Sequence, residues 1–341
     1  MKKIFKYKLL FAAALVGVFA SCSDDEDVTL DTRSDKPVVT IDASSFTVTE
    51  GESFTVNLTS DKAISTGMDF KIELVGDEGT FRDYIVEGAE ETTVETGAGI
   101  IGHWFTIPAY TTTYSVTITP IVDLEVEGTE TFELALTSAV NGRGLVADDS
   151  GMITVTVNDY VSNDVGVRLV WDQNTTDWFG TIHESTYTYI NASGVATEAP
   201  FTDYDFDIYV LDAVSLEEVT GYGGATGDSP EMTVIDADLP DGEYWIVVDL
   251  FDSGNAPAVE FEHVMSLQIS KFGNWTVTVP VEGYVSNYPT SAPSGLAGGE
   301  MVVAVLHKTG TTYVLENEAG DVLAQGRMAS LAGKVKSKVR K

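Results

Sequence analysis

Two runs of alternating apolar residues, joined by one acidic turn, constrain this chain more than any other stretch. Within residues 117–136, Ile118 and Val122 continue a period of two begun at Val116. Phe132, Leu134 and Leu136 resume it after Asp123-Leu-Glu-Val-Glu127-Gly128. A period of two puts every second side chain on one face, so both runs read as half-buried strands around a glycine-closed turn. The pattern recurs at Val39/Ile41, Phe46/Val48, Phe54/Val56/Leu58 and Ile153/Val155/Val157. It returns at Val165/Val167/Leu169/Trp171, Tyr204/Phe206/Ile208/Val210, Tyr244/Ile246/Val248/Leu250 and Phe261/His263/Met265/Leu267/Ile269. No stripe with helical spacing competes with it. The expected fold is all-β, built as two antiparallel β-sandwich domains.

At 341 residues the chain exceeds a typical single domain, so two separate cores are expected. Residues 37–163 form the first module and 164–341 the second. In the first, residues 87–102 read as an insertion loop between glycine-interrupted pieces. The second contains a Pro/Ser/Thr/Gly-rich loop at 284–299, a hairpin around Glu318-Ala-Gly320-Asp321, and a basic tail from Lys334 to Lys341 that lies on the acidic body, lies on anionic lipid, or frays.

Acidic residues outnumber Lys and Arg by 53 to 19, a formal net charge of −34. Such a surface repels phosphate backbones, which excludes nucleic acid as a partner. Carboxylates with so few cationic neighbours are solvated, protonated or bridged by metal ions. The single cysteine, Cys22, rules out an intramolecular disulfide. Lys2, Lys3, Lys6 and Lys8 precede an apolar run from Leu9 to Phe19, and Ala20-Ser21 follow, so residues 1–21 have the charge, length and flanks of a signal peptide. Residues 22–36, beginning Cys22-Ser-Asp24-Asp25-Glu26-Asp27, are an acidic flexible tether.

Phe19-Ala20-Ser21-Cys22 resembles a bacterial lipobox, which implies lipidation of Cys22 and a membrane anchor. The acids after it resemble the export signal that sends lipoproteins to the outer face of the outer membrane. The string Asp123-x-x-x-Glu127-Gly128-x-Glu130-x-Phe132 resembles the Calx-beta family, whose sandwiches carry calcium at one end in some members. That resemblance spans roughly residues 38–160 and implies Ca2+ ligands at Glu50, Asp83, Asp123, Glu127 and Asp159; the other reading is a purely structural turn. In the second module, Arg168-Leu-Val-Trp171-Asp172, residues 205–210 and residues 239–248 resemble the accessory jelly-roll domains beside secreted bacterial peptidases.

Two further groups stand out from the residues themselves. Asp203, Asp205 and Asp207 alternate, which puts them on one face of one strand about 6.6 Å apart, with Asp172 and Asp212 near them. They form either a metal site or an acidic edge that discourages strand addition. Trp178 and Phe179 sit in a polar loop and Tyr187 and Tyr189 share a strand face, an arrangement for stacking a sugar ring or for filling a core and its rim. His103, His183, His263 and His307 are scattered, with no His-Glu-x-x-His or Gly-x-Ser-x-Gly, so catalysis is not expected. Gly221-Tyr-Gly223-Gly224 precedes no helix and is no phosphate cradle. The function expected is a lipid-anchored surface protein for binding, adhesion or scaffolding, calcium-stabilised; the alternatives are capture of a glycan or peptide partner and a hydrolase without a recognisable motif.

Overall fold

The computed structural model describes residues 36–76, 83–91, 102–139, 142–176, 182–220, 224–291 and 299–327. The signal peptide, Cys22, nearly all of the tether, Trp178, Phe179, most of the 284–299 loop's second half and the basic tail lie outside the described residues. The protein is all-β. Phe201–Asp203 forms a short 3-10 turn.

The first half forms two facing sheets. One runs in the order Leu145–Val146, Val38–Ile41, Phe54–Ser60, Thr113–Pro120, Tyr84–Val86. The other runs Ser45–Thr49, Met152–Asn158, Thr129–Ser138, Met68–Val75, Gly102–Ile107, Glu90–Glu91. Their inner faces share one core. Phe54, Val56, Leu58, Val116 and Ile118 from the first sheet meet Phe70, Ile72, Phe132, Leu134, Leu136, Ile153, Val155 and Val157 from the second. These are the alternating residues of the sequence, and each large apolar side chain so buried contributes about 1.5–3 kcal/mol.

Two features depart from the expected plan. Both sheets carry a parallel pair as well as antiparallel ones: Val38–Ile41 with Leu145–Val146, and Ser45–Thr49 with Met152–Asn158. The 87–102 stretch is not simply an insertion loop, because Glu90–Glu91 pairs with Gly102–Ile107.

The second half has its own core between a four-stranded sheet (Glu231–Ile235, Val165–Val170, Met265–Lys271, Trp275–Val281) and a five-stranded one (Asp205–Asp212, Gly242–Asp252, Glu300–Thr309, Thr312–Asn317, Val322–Arg327). The C-terminal hairpin thus completes the second sheet. Trp171 is fully buried, and its indole N–H donates to Tyr204 O at 2.8 Å, which joins the two sheets through one polar contact. Between the halves, residues 159–164 are held by Lys271, whose ammonium donates to Ser162 O and Asn163 Oδ1. Burial lowers that lysine to about 8. Leu124, buried at the tip of the acidic turn, sits so close to Gly166 that a Cβ there would overlap it.

Candidate metal centre

The acidic end of the first sandwich is assembled by backbone before any carboxylate is considered. At the end of Ser45–Thr49 the chain turns at Glu50-Gly51. Glu50 N–H donates to Asn158 O (3.0 Å) and Gly51 N–H to Pro120 O (2.8 Å). Gly51 takes φ +77, which favours glycine, and a Cβ there would lie 2.9 Å from Val122 Cγ2. Glu50 is therefore fixed against the start of the acidic turn.

That turn has its own ties. Ile121 N–H donates to Asp83 O at 2.8 Å, bringing Asp83 alongside. Asp123 Oδ1 accepts from Glu125 N–H at 2.7 Å, an Asx-type turn. Gly128, at φ +90, donates its N–H to Asp159 Oδ1 at 2.8 Å, while Asp159 N–H returns a bond to Gly128 O at 3.0 Å. All five acids assigned through the family resemblance thus belong to one loop end.

Three of them converge. Glu50, Asp123 and Glu127 each offer an oxygen, and these oxygens lie within 4.8 Å of one another. Calcium takes oxygens at about 2.3–2.6 Å, so two ligands across one ion stand about 5 Å apart at most. The trio fits that span. Asp83 and Asp159 border it.

The electrostatics follow from crowding without a cation. Burial pushes the Glu50 carboxyl up to about 7, with Asp123, Asp159 and Glu127 adding to the rise against the opposing bond from Tyr160 N–H (3.0 Å). Burial and the fields of Glu127, Asp83, Asp123 and Asp159 push Glu130 to about 7 as well. Asp123 and Glu127 rise for the same two reasons, burial first. Among the described residues no lysine or arginine contributes to these shifts. What the arrangement offers is a set of hard oxygen ligands whose mutual repulsion a divalent ion relieves. Glu130 belongs to this field and was not among the expected ligands, although it stands in the same acidic string.

The second expected set is not assembled as the alternation implied. Asp203 ends the 3-10 turn Phe201–Asp203, and the strand begins only at Asp205, with a register shift between Asp205 and Phe206. Three aspartates on one strand face is therefore incorrect. Asp172 and Asp212 cap turns: Asp172 Oδ1 accepts from Asn174 N–H, and Asp212 Oδ1 from Val214 and Ser215 N–H.

The expected aromatic face also changes. Tyr187 is buried, with Phe201, Tyr204 and Phe261 rings 5.4–5.8 Å away, so it has no face left for a sugar. Tyr189 packs partly buried against the same core. His263 is buried among Tyr204, Phe206 and Phe261, and burial lowers it to about 4, a neutral core residue.

Fold and site together define an all-β protein with an acidic cluster at the loop end of one sandwich. No family model matches the chain, and no curated protein matches it. Solved structures similar to it include the apo-form Calx CBD1 domain, at 19% identity and a TM-score of 0.26, with 37% of this chain and 98% of that chain covered. The calcium binding domain CBD12 of CALX1.1 is similar at 14% identity and a TM-score of 0.25, with 65% and 82% covered. A chaperone–tip adhesin complex of CFA/I fimbriae biogenesis is similar at 11% identity and a TM-score of 0.23, with 68% and 98% covered.

Proposed function

We propose that this chain is a calcium-stabilised binding or scaffold module, held at the outer membrane surface by a lipid on Cys22. The observation that carries the calcium reading is the convergence of Glu50, Asp123 and Glu127 oxygens within 4.8 Å of one another, with no lysine or arginine of the described residues among the groups that shift them. Bound there, the ion supplies positive charge and cross-links the Glu50 turn to the 121–128 turn. Asp83 and Asp159 hold the border of the site. Glu125, on the same turn, accepts from Gln268 of the second half, so stiffening the turn also stiffens the joint between the two sandwiches.

The test is thermal melting of the mature chain in EDTA and through a calcium titration, with magnesium as control. A calcium-specific rise in Tm, absent from Asp123→Asn, is the expected result. Indifference to calcium removes the claim. The anchor is tested separately: Cys22→Ser releases the protein from membranes, and protease treatment of intact cells cleaves the wild-type chain. The glycan alternative loses Tyr187 as a stacking partner, and no observation on the described residues favours it.

A further inference from the structure

The second half buries acids that the first site does not use. Asp207 on Asp205–Asp212 stands opposite Asp249 on Gly242–Asp252, and Asp249 stands opposite Glu300 on Glu300–Thr309. Three acids thus form a row across three neighbouring strands, on one face. Like charges directly opposite in a sheet repel, so this row needs a reason to persist. Asp207 and Asp249 are 4% and 2% exposed, so water does not supply it.

Glu231 joins them from the other sheet. It is 1% exposed, and its Oε1 accepts three bonds, from Thr226 N–H, Thr226 Oγ1 and Gly227 N–H. The Asp205 carboxylate lies beside that turn, 3.7–3.9 Å from where a Gly227 Cβ would be. Glu231 Oε2, Asp205 Oδ1 and Asp249 Oδ1 are each buried without a hydrogen-bond partner. Buried anionic oxygens are normally paired or coordinate metal. Among the described residues no lysine, arginine or histidine is among the groups acting on Asp205, Asp207 and Asp249; their polar neighbours are Tyr209 OH on Asp207 (2.8 Å) and Ser291 Oγ on Asp249.

We propose that Asp205, Asp207, Glu231 and Asp249 form a second site for a divalent cation of the calcium type, independent of the first. Burial pushes Asp207 to about 6 and raises Asp205 and Asp249, which is the behaviour of oxygens short of positive charge. Among the described residues only Glu50, Asp123 and Glu127 already have their oxygens within 4.8 Å of one another. The second set must turn its side chains inward as the ion enters, so it binds more weakly, roughly in the 10⁻⁴–10⁻³ M range of extracellular modules.

The experiment is a calorimetric titration of the full mature chain with calcium chloride. The Glu50→Gln/Asp123→Asn variant removes the first site; about one weak equivalent remains, and adding Glu231→Gln and Asp249→Asn abolishes it. No residual binding in the first-site variant at millimolar calcium, or residual binding that survives the second pair of substitutions, overturns the proposal. Terbium luminescence gives a readout that leaves the carboxylates intact. In the first-site variant, Tyr209→Phe lowers tyrosine-sensitised terbium emission by more than half, and unchanged emission also overturns the proposal. If the first-site variant binds calcium as wild type does, the first site's reading fails and this one stands.

Discussion

Glu50→Gln is the most informative single change, because its effect on stability reverses sign with calcium. Glu50 is 6% exposed and its carboxyl stands at about 7 against an ordinary 4.5. At pH 8 that rise corresponds to at most about 3 kcal/mol of unfavourable charge in the ion-free protein, and solvent screening of its outer edge reduces it to about 1–2 kcal/mol. The stability gained by holding the proton is fully present below pH 4.5 and is lost as pH rises through about 7. Glutamine keeps the oxygen that accepts from Tyr160 N–H and removes the charge. In EDTA at pH 8 the variant is therefore expected to melt about 3–8 °C above wild type, and at pH 4 the two coincide. In saturating calcium the order inverts, because a ligand held at a hundred times its Kd adds about 2.7 kcal/mol to wild type and much less to the variant. Scanning calorimetry at the two pH values, with and without calcium, measures all four quantities. A variant that melts below wild type in EDTA at pH 8, or that gains as much from calcium as wild type does, refutes the reasoning.

Calcium and protons are expected to compete at the first site, since burial and neighbouring carboxylates push Glu50 and Glu130 up to about 7. Affinity is expected to weaken by up to about tenfold per pH unit as pH falls from 7.5 to 5.5 for one proton displaced, read by titration calorimetry in two buffers; a Kd independent of pH counts against it. Gly51→Ala forces a Cβ into Val122 Cγ2 at φ +77 and should cost about 1–2 kcal/mol in urea denaturation while weakening calcium binding, because Glu50 is displaced with it. An unchanged urea midpoint refutes that. Trp171→Phe leaves Tyr204 O without its donor and opens space in the second core, at an expected cost of about 2–3 kcal/mol. Its melting transition should fall while the calcium-induced shift of the first sandwich is unchanged; loss of the calcium shift would show that the two cores do not act separately.

The strand faces were legible in the sequence because alternation is a local property: Phe132, Leu134 and Leu136 lie on the buried face whatever their partners. Pairing is not local. The parallel match of Ser45–Thr49 with Met152–Asn158 spans more than a hundred residues, and nothing in either segment announces its direction. The first acidic cluster was legible in the string from Asp123 to Glu130, and the backbone ties of Glu50, Asp83, Asp123 and Asp159 bring those positions together. Tyr187 and Tyr189 were read correctly as sharing one side, but which side is covered depends on Phe201, Tyr204 and Phe261, which only the packing brings there.

The Asp203–Asp207 stretch explains why one acidic cluster was readable and the other was not. Parity fails at Asp203 because the 3-10 turn Phe201–Asp203 advances the chain at a different pitch, and the strand resumes at Asp205. From there the alternation is correct, yet it names only two of the four carboxylates. Asp249 arrives through strand register and Glu231 through a turn of the facing sheet. In a chain with 53 acids, proximity along the sequence says little about charge, since most carboxylates stay in water at little cost. Burial separates Glu50, Asp207, Glu231 and Asp249 from the rest, while Asp123 and Glu127 stay exposed beside Glu50. Where folding removes water from several carboxylates and brings no lysine or arginine, only protons or metal ions are left to balance the charge. Which of the two does so at each cluster is a question of pH and calcium concentration, and both can be set in the same titration.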